Sequence, residues 1–261
     1  MKIVLDLLEN IDVLLLVFSR VLGIFVSAPV FNHKNVPNYL KIGFSFIITL
    51  ILFPIIKVPV DLVNDHFYLL LGSSIKELLT GMMIGFICYL FYSSIYLAGR
   101  IIDMQIGFAM VSVINPQDDT QVPIMGSLLY LMAILVFLST NGHHTLIYAL
   151  KYSFDSIPLG ALTINNFMID KLIGIMINTF VVAFKMGAPI LVSILVANML
   201  LGILARTMPQ MNVFVVGMPL KLIVGLSIIV LTIPLYVGVF ENIFENMFEN
   251  LYDFLNLVLK G

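Results

Sequence analysis

The sequence predicts an all-α integral membrane protein built from long, kinked helical hairpins. Three observations carry that expectation. Of its 261 residues 61% are hydrophobic and only 11% charged, with a mean hydropathy of +1.09; a soluble domain carries about 25% charged residues. No charged side chain occurs between Glu77 and Arg100, between Asp119 and Lys151, or between Lys185 and Arg206. The first of these runs is 22 residues long, and a helix needs about 20 to cross a bilayer core. The connections are brief and marked by proline, at Ala28-Pro29, Val36-Pro37, Val58-Pro59, Ile157-Pro158 and Met208-Pro209. Proline lacks the backbone donor and pushes the preceding residue out of the helical region, so each of these ends a helix. No linker resembles a domain boundary, and one membrane-embedded body over 1–261 is expected.

In chain order, apolar helices are expected at about 11–30, 39–56, 67–98, 122–140, 172–205 and 213–240, with a shorter one over 143–155. The N-terminus, with Asp6, Glu9 and Asp12, has no basic region before an apolar core, so no removable signal peptide is expected. Arg20 lies inside the first apolar run and Lys185 in the middle of a later one. A charge at the bilayer centre costs several kcal/mol or more, so each either snorkels to an interface or faces protein or water. Lysine and arginine are spread evenly along the chain, and the positive-inside rule gives no orientation. Gly81 and Gly85 form a GxxxG spacing, which strips bulk from one helix face and lets another backbone approach. Arg100 and Asp103, three apart on a helix, can pair with each other. Cys88, the single cysteine, reads as a buried hydrophobe.

The stretch from Met104 to His144 is the most distinctive. A segment with Phe108, Met110, Val111, Val113 and Ile114 breaks at Asn115-Pro116. A polar patch follows over 117–121, then Pro123, Gly126 and a long apolar run that stops at Asn141-Gly142. This is a hairpin with a polar break. The break is either a solvent loop between two spans or irregular backbone at membrane depth, which is tolerated only where it lines a cavity or is buried in protein. Further on, Arg206 and Gln210 flank Met208-Pro209, and polar groups in such a setting are expected to need buried partners. Glu241, Glu245, Glu249 and Asp253 then form a drifting acidic stripe, with Phe244, Phe248, Leu251 and Leu255 on another face. The stripe is either a solvated face or a surface for a basic partner.

The chemistry of an enzyme is missing from this pattern. There is no phosphate loop, GxSxG, HExxH or CxxC. Adjacent His143 and His144 point about 100° apart on a helix and cannot chelate as an i,i+4 pair does. Net charge is −2 with no basic block, so nucleic acid is not an expected partner. Membrane lipid is. Glu77 and Asp103 are the only carboxylates near the apolar interior, too few for a proton-coupled transporter built on paired intramembrane acids. No enzymatic activity, metal or cofactor is expected. A stand-alone secondary transporter and a purely structural scaffold stay open on the residues alone.

Three stretches carry a resemblance: Phe25 through Pro54, the Met104–His144 hairpin, and Leu200 through Lys221 (LLGILARTMPQMNVFVVGMPLK). In order and over nearly the whole chain they resemble the FliR/SctT family of type III secretion export-gate proteins. Arg206-Thr-Met-Pro209-Gln210-Met-Asn212-Val-Phe214 and Asn141-Gly142-His143 are the most specific parts. Gln210–Phe214 and Gly217–Lys221 look like the flagellar rather than the virulence (SctT) form. The resemblance implies a subunit that assembles with FliP and FliQ homologues into a helical channel in the bacterial inner membrane, within the flagellar basal body. FlhB would lie against its entrance, and unfolded export substrates would pass through. It further implies a FliP-like part over about 1–165 and a FliQ-like part over about 166–261, in hairpins broken partway and lying largely above the bilayer plane. A loop that plugs the closed pore falls on Met110 and Val113, with Phe108, Val111 and Ile114 beside them. Many relatives carry larger aromatic residues at those positions.

Overall fold

The computed structural model describes residues 10–32, 36–56, 67–108, 123–163, 165–210 and 212–258. Among them the chain forms seven α-helices and no strand. These are α1 (Ile11–Ser27), α2 (Asn38–Leu52, continued by a 3-10 turn over Phe53–Ile55), α3 (Phe67–Ile106), α4 (Ile124–Ser139), α5 (Gly142–Ser156), α6 (Asn166–Thr207) and α7 (Val213–Val258). The fold class is all-α, as the composition predicts. Three elements are longer than expected. α3 continues through Arg100 and Asp103 to 106, α6 starts at Asn166, and α7 carries the acidic stripe on a single helix with its apolar half. Four helices are long and apolar enough to cross a membrane: Asn38–Ile55, Phe67–Ile106, Asn166–Thr207 and Val215–Val258. In α3 61% of the most apolar window is buried, against 22%, 22% and 17% in the other three. α3 is therefore the core helix, and the others keep apolar faces free.

Helix ends follow local chemistry. Pro37 precedes α2 in an extended conformation, and Pro54 turns its end into the 3-10 segment. Asn165 caps α6 through its side-chain oxygen, which accepts the N–H of Met168 at 2.9 Å. Asn141, between α4 and α5, sits in the left-handed region at φ 57°, a conformation asparagine tolerates better than most residues. Pro189, Pro219 and Pro234 lie inside α6 and α7, which run on across them. Near Pro189, whose missing donor disturbs the turn before it, the Tyr236 hydroxyl donates to the carbonyl of Met186 at 3.1 Å.

The chain forms two compact units. The first comprises Met1–Phe91, Asn141–Met176 and Phe244–Gly261. Its core includes Leu16, Val17 and Ile24 of α1, Ile84 and Ile87 of α3, Leu146 and Ala149 of α5, and Met247, Leu251 and Leu255 of α7. Tyr152 donates to Asn256 at 2.6 Å, and Asn165 donates to the Leu257 carbonyl at 3.2 Å, tying α5 and the start of α6 to the end of α7. Lys171 pairs with Asp253 of the acidic stripe at 3.1 Å. The second unit comprises Tyr92–Thr140 and Ile177–Ile243. There the buried residues include Ile95, Ala98 and Ile102 of α3, Leu129, Ala133 and Phe137 of α4, Ala183, Ile190 and Ile194 of α6, and Tyr236 and Phe240 of α7.

Candidate functional site

Helix α4 begins with a deficit. Its first N–H groups have no partners within the helix, and the residue at its N-cap position is Pro123, which has no side-chain acceptor. Asp103, 20 residues before Pro123 in the last turn of α3, supplies one. Its carboxylate accepts the Met125 N–H at 3.0 and 3.1 Å and the Gly126 N–H at 3.3 Å. A carboxylate at a helix N-terminus gains from both the charge-assisted bonds and the helix dipole. The approach depends on glycine. A Cβ on Gly99, one turn before Asp103, would overlap the backbone of Gly126. Asp103 is 4% exposed.

This staple corrects the expected Arg100–Asp103 pair. Arg100 is exposed, and no ion pair joins the two among the described residues. An exposed ion pair contributes about 0–1 kcal/mol, less than fixed backbone donors in a dry site contribute. The staple also fixes the end of α3 beside the start of α4. α3 ends as the Gly107 N–H donates to the Asp103 carbonyl at 3.1 Å, and Gly107 takes φ +99°, a conformation glycine adopts at little cost. Phe108 follows, half-buried, and the chain re-enters at Pro123, also half-buried. Met110, Val111, Val113, Ile114, Asn115 and Pro116 lie outside the described residues.

A second buried anchor lies in the first unit, and of the two readings open for Arg20 it faces protein rather than snorkelling to an interface. Arg20 is fully buried. Its Nε donates to Glu77, one terminal nitrogen to the Ser153 carbonyl at 2.7 Å and the other to the Ile157 carbonyl at 3.0 Å. The guanidinium also lies 4.3 Å from the Phe154 ring centre. The second Glu77 oxygen accepts the Gly160 N–H at 2.7 Å. One ion pair thus joins α1, α3, the end of α5 and the turn after it. Gly81 and Gly85 make this possible. A Cβ on Gly81 would strike the carbonyl oxygen of Arg20, and one on Gly85 would strike Ser27 and the N–H of Ala28. Gly23 meets the same face from α1, 2.5 Å from the Leu78 oxygen if it carried a Cβ. Part of the signal for this site was present in the sequence: Arg20, inside an apolar run, needs a partner, and Glu77 lies at the edge of another. The carbonyls of Ser153 and Ile157 carry no such signal.

The remaining predicted residues are dispersed. Asn141 is exposed and Gly142 is buried at the start of α5. Arg206, Pro209, Gln210 and Asn212 are all exposed at the α6–α7 turn. The expectation that this turn buries its polar groups does not hold within this chain. The turn lies at the ends of α6 and α7, the two longest helices, and its residues stay exposed there. Among the described residues no cluster of His, Cys, Asp or Glu could hold a metal.

Four helices long and apolar enough to cross a membrane, three of them with largely free apolar faces, define the class of a multi-pass membrane protein. Residues 11–247 match the model of the bacterial export proteins, family 1, and the chain belongs to that family. The flagellar biosynthetic protein FliR of Bacillus subtilis (strain 168) is 39% identical over 229 residues, covering 86% of this chain and 87% of its own. FliR of Escherichia coli (strain K12) is 30% identical over 218 residues, 83% and 82% of the two chains. FliR of Aquifex aeolicus (strain VF5) is 28% identical over 227 residues, 87% of each.

Proposed function

We propose that this chain is a subunit of the flagellar type III protein export gate in the bacterial inner membrane. In this reading it assembles with FliP and FliQ homologues into a channel for unfolded flagellar proteins, with FlhB at its entrance. The observation that carries the reading is the family match over 11–247, with relatives named for flagellar biosynthesis at up to 39% identity across most of both chains. Physical features support it. A chain in which three of the four candidate spanning helices are only about one-fifth buried in their most apolar windows has large faces left for other subunits or lipid. The part over about 1–165 is proposed as FliP-like and that over about 166–261 as FliQ-like, with the division at the start of α6. The test is co-expression with the FliP and FliQ homologues of the same bacterium. A monodisperse complex and loss of motility on deletion are expected. A chain that stays a stable, protease-resistant monomer beside those partners would overturn the reading.

The segment over Met104–Pro123, with Phe108, Met110, Val111, Val113 and Ile114, is proposed as the pore plug. The staple at Asp103 supports the reading by holding the end of α3 against the start of α4, the two helices that flank this segment. An apolar constriction stops ions because a narrow dry passage resists wetting. Met110→Gly with Val113→Gly is expected to let the assembled complex leak small ions without hindering assembly. A single-channel current equal to that of the unmodified complex would remove the plug from the proposal.

A further inference from the structure

Helices α6 and α7 run antiparallel beside each other: Tyr236 bonds to Met186, and a Cβ on Gly217 would sit 3.1 Å from the Leu201 side chain. Each helix is weakened once at the same level. Pro189 withholds the donor that the Lys185 carbonyl would accept, and Pro234 does the same to Val230. From the Tyr236–Met186 bond toward the α6–α7 turn, Pro189 lies three residues on and Pro234 two. Those steps are about 4.5 and 3 Å at about 1.5 Å per residue, so the two breaks are level to within one helical turn. Neighbouring groups favour bending there. Ser193 donates back to the Pro189 carbonyl at 2.7 Å and Thr232 to that of Ile228 at 2.9 Å, and back-bonding of this kind bends helices. A Cβ on Gly187 would meet nothing nearer than 3.7 Å, so close packing does not account for that glycine. Nearer the turn the two helices leave an apolar groove of about 450 Å³ between them, lined by Val196, Leu200, Leu204, Leu220 and Val224. Dense interdigitation, which would lock them, is missing along that groove.

A kink in one helix is opposed by a straight neighbour packed on it, whereas two kinks at one level let both helices bend together. Pro219 makes the contrast, since α6 has no proline opposite it, near Leu201. We infer that α6 and α7 share a hinge at Pro189 and Pro234, about which their segments over 190–207 and 213–233 swing as one arm. Bending at Pro189 draws the Ile190 N–H away from the Met186 carbonyl, its acceptor one turn back. Met186 is buried, and an unpaired carbonyl there would be costly. The Tyr236 hydroxyl, already 3.1 Å from that oxygen, is the donor that replaces the lost one. A bend of about 20° displaces Ile203, about 21 Å beyond Pro189, by roughly 7 Å. The hinge goes beyond the export-gate reading and does not rest on it.

The test uses the full chain, with the subunits that purify with it, in lipid nanodiscs, and reads distances between pairs of spin labels. Cys88 is buried and out of reach of the label. One pair joins Leu135 of α4 to Ile203 in the arm, and a control pair joins Leu135 to Val181, which precedes the hinge; all three residues are exposed. The arm pair is expected to give the wider distribution, by about 7 Å for a bend of about 20°. Equal widths for the two pairs would overturn the inference, and this comparison needs no change at the hinge itself. Pro189→Ala with Pro234→Ala is expected to narrow the arm distribution to that of the control. Tyr236→Phe keeps the ring and withholds the donor, and it is expected to lower the share of swung arms about three- to ten-fold. An arm as mobile with both alanines as without them would count against the hinge. A Tyr236→Phe effect that is absent, or that persists in the alanine background, would remove Tyr236 from it.

Discussion

Replacing Arg20 with alanine would leave Glu77 buried without its cation, and losing one member of a buried pair costs about 3–5 kcal/mol. Thermal unfolding of the assembled complex, together with the level of the chain in membranes, measures this. Arg20→Lys is expected to recover only part of the loss. Lysine cannot span Glu77 and two carbonyls from one planar fork. Pairing Arg20→Met with Glu77→Leu removes both charges, and the double variant is expected to be clearly more stable than either single change. Equal stability of Arg20→Ala and the unmodified chain would show that the cluster is not an anchor. At Asp103 the expected effect is local. Asp103→Ala removes the cap of α4, with a cost of about 0.5–2 kcal/mol, and amide exchange at Met125 and Gly126 is expected to quicken about ten-fold. The same residues show what was readable from sequence alone. Both carboxylates could be singled out because each lies at the edge of an apolar run, but their partners could not. Asp103 bonds to backbone donors, and backbone donors look alike in every residue.

At the scale of helices, the glycines divide by what faces them. Gly81→Ala drives a methyl into the Arg20 carbonyl, and overpacking of that kind costs about 1–3 kcal/mol. Gly43 on α2 has nothing within 4 Å of an added Cβ, so Gly43→Ala is expected to be neutral or to gain up to about 1 kcal/mol of helix propensity. Complex yield in membranes for the two variants separates these outcomes, and a Gly81→Ala yield equal to that of Gly43→Ala would refute the close approach. Helix existence was legible in the sequence from hydropathy and proline, and helix ends less so. α3 was expected to stop near 98 because charge reappears at Arg100, yet it continues because Asp103 is consumed as a cap and Arg100 points outward. α7 was expected to stop near 240 for the same reason. Its acids occupy the exposed side while Phe244, Met247 and Leu251 stay buried. An amphipathic continuation of an apolar helix reads as a boundary when only mean hydropathy is followed.

For the molecule as a whole, the Arg20 cluster has a consequence for how the chain is made. Arg20 is synthesised first and its acceptors come late. Glu77 follows by 57 residues, Ser153 by 133 and Ile157 by 137. At about 5–20 residues per second on the ribosome, Glu77 appears roughly 3–11 s after Arg20, and Ser153 roughly 7–27 s after it. During that interval α1 is an apolar helix with an unneutralised guanidinium, a poor substrate for release into lipid. The first of the described helices to be made is therefore among the last to be secured. Nascent chains arrested before Glu77 are expected to leave α1 extractable from membranes at alkaline pH, and chains long enough to expose residue 160 are expected to resist extraction. In an Arg20→Leu chain that dependence on length should vanish, since α1 then has nothing to wait for.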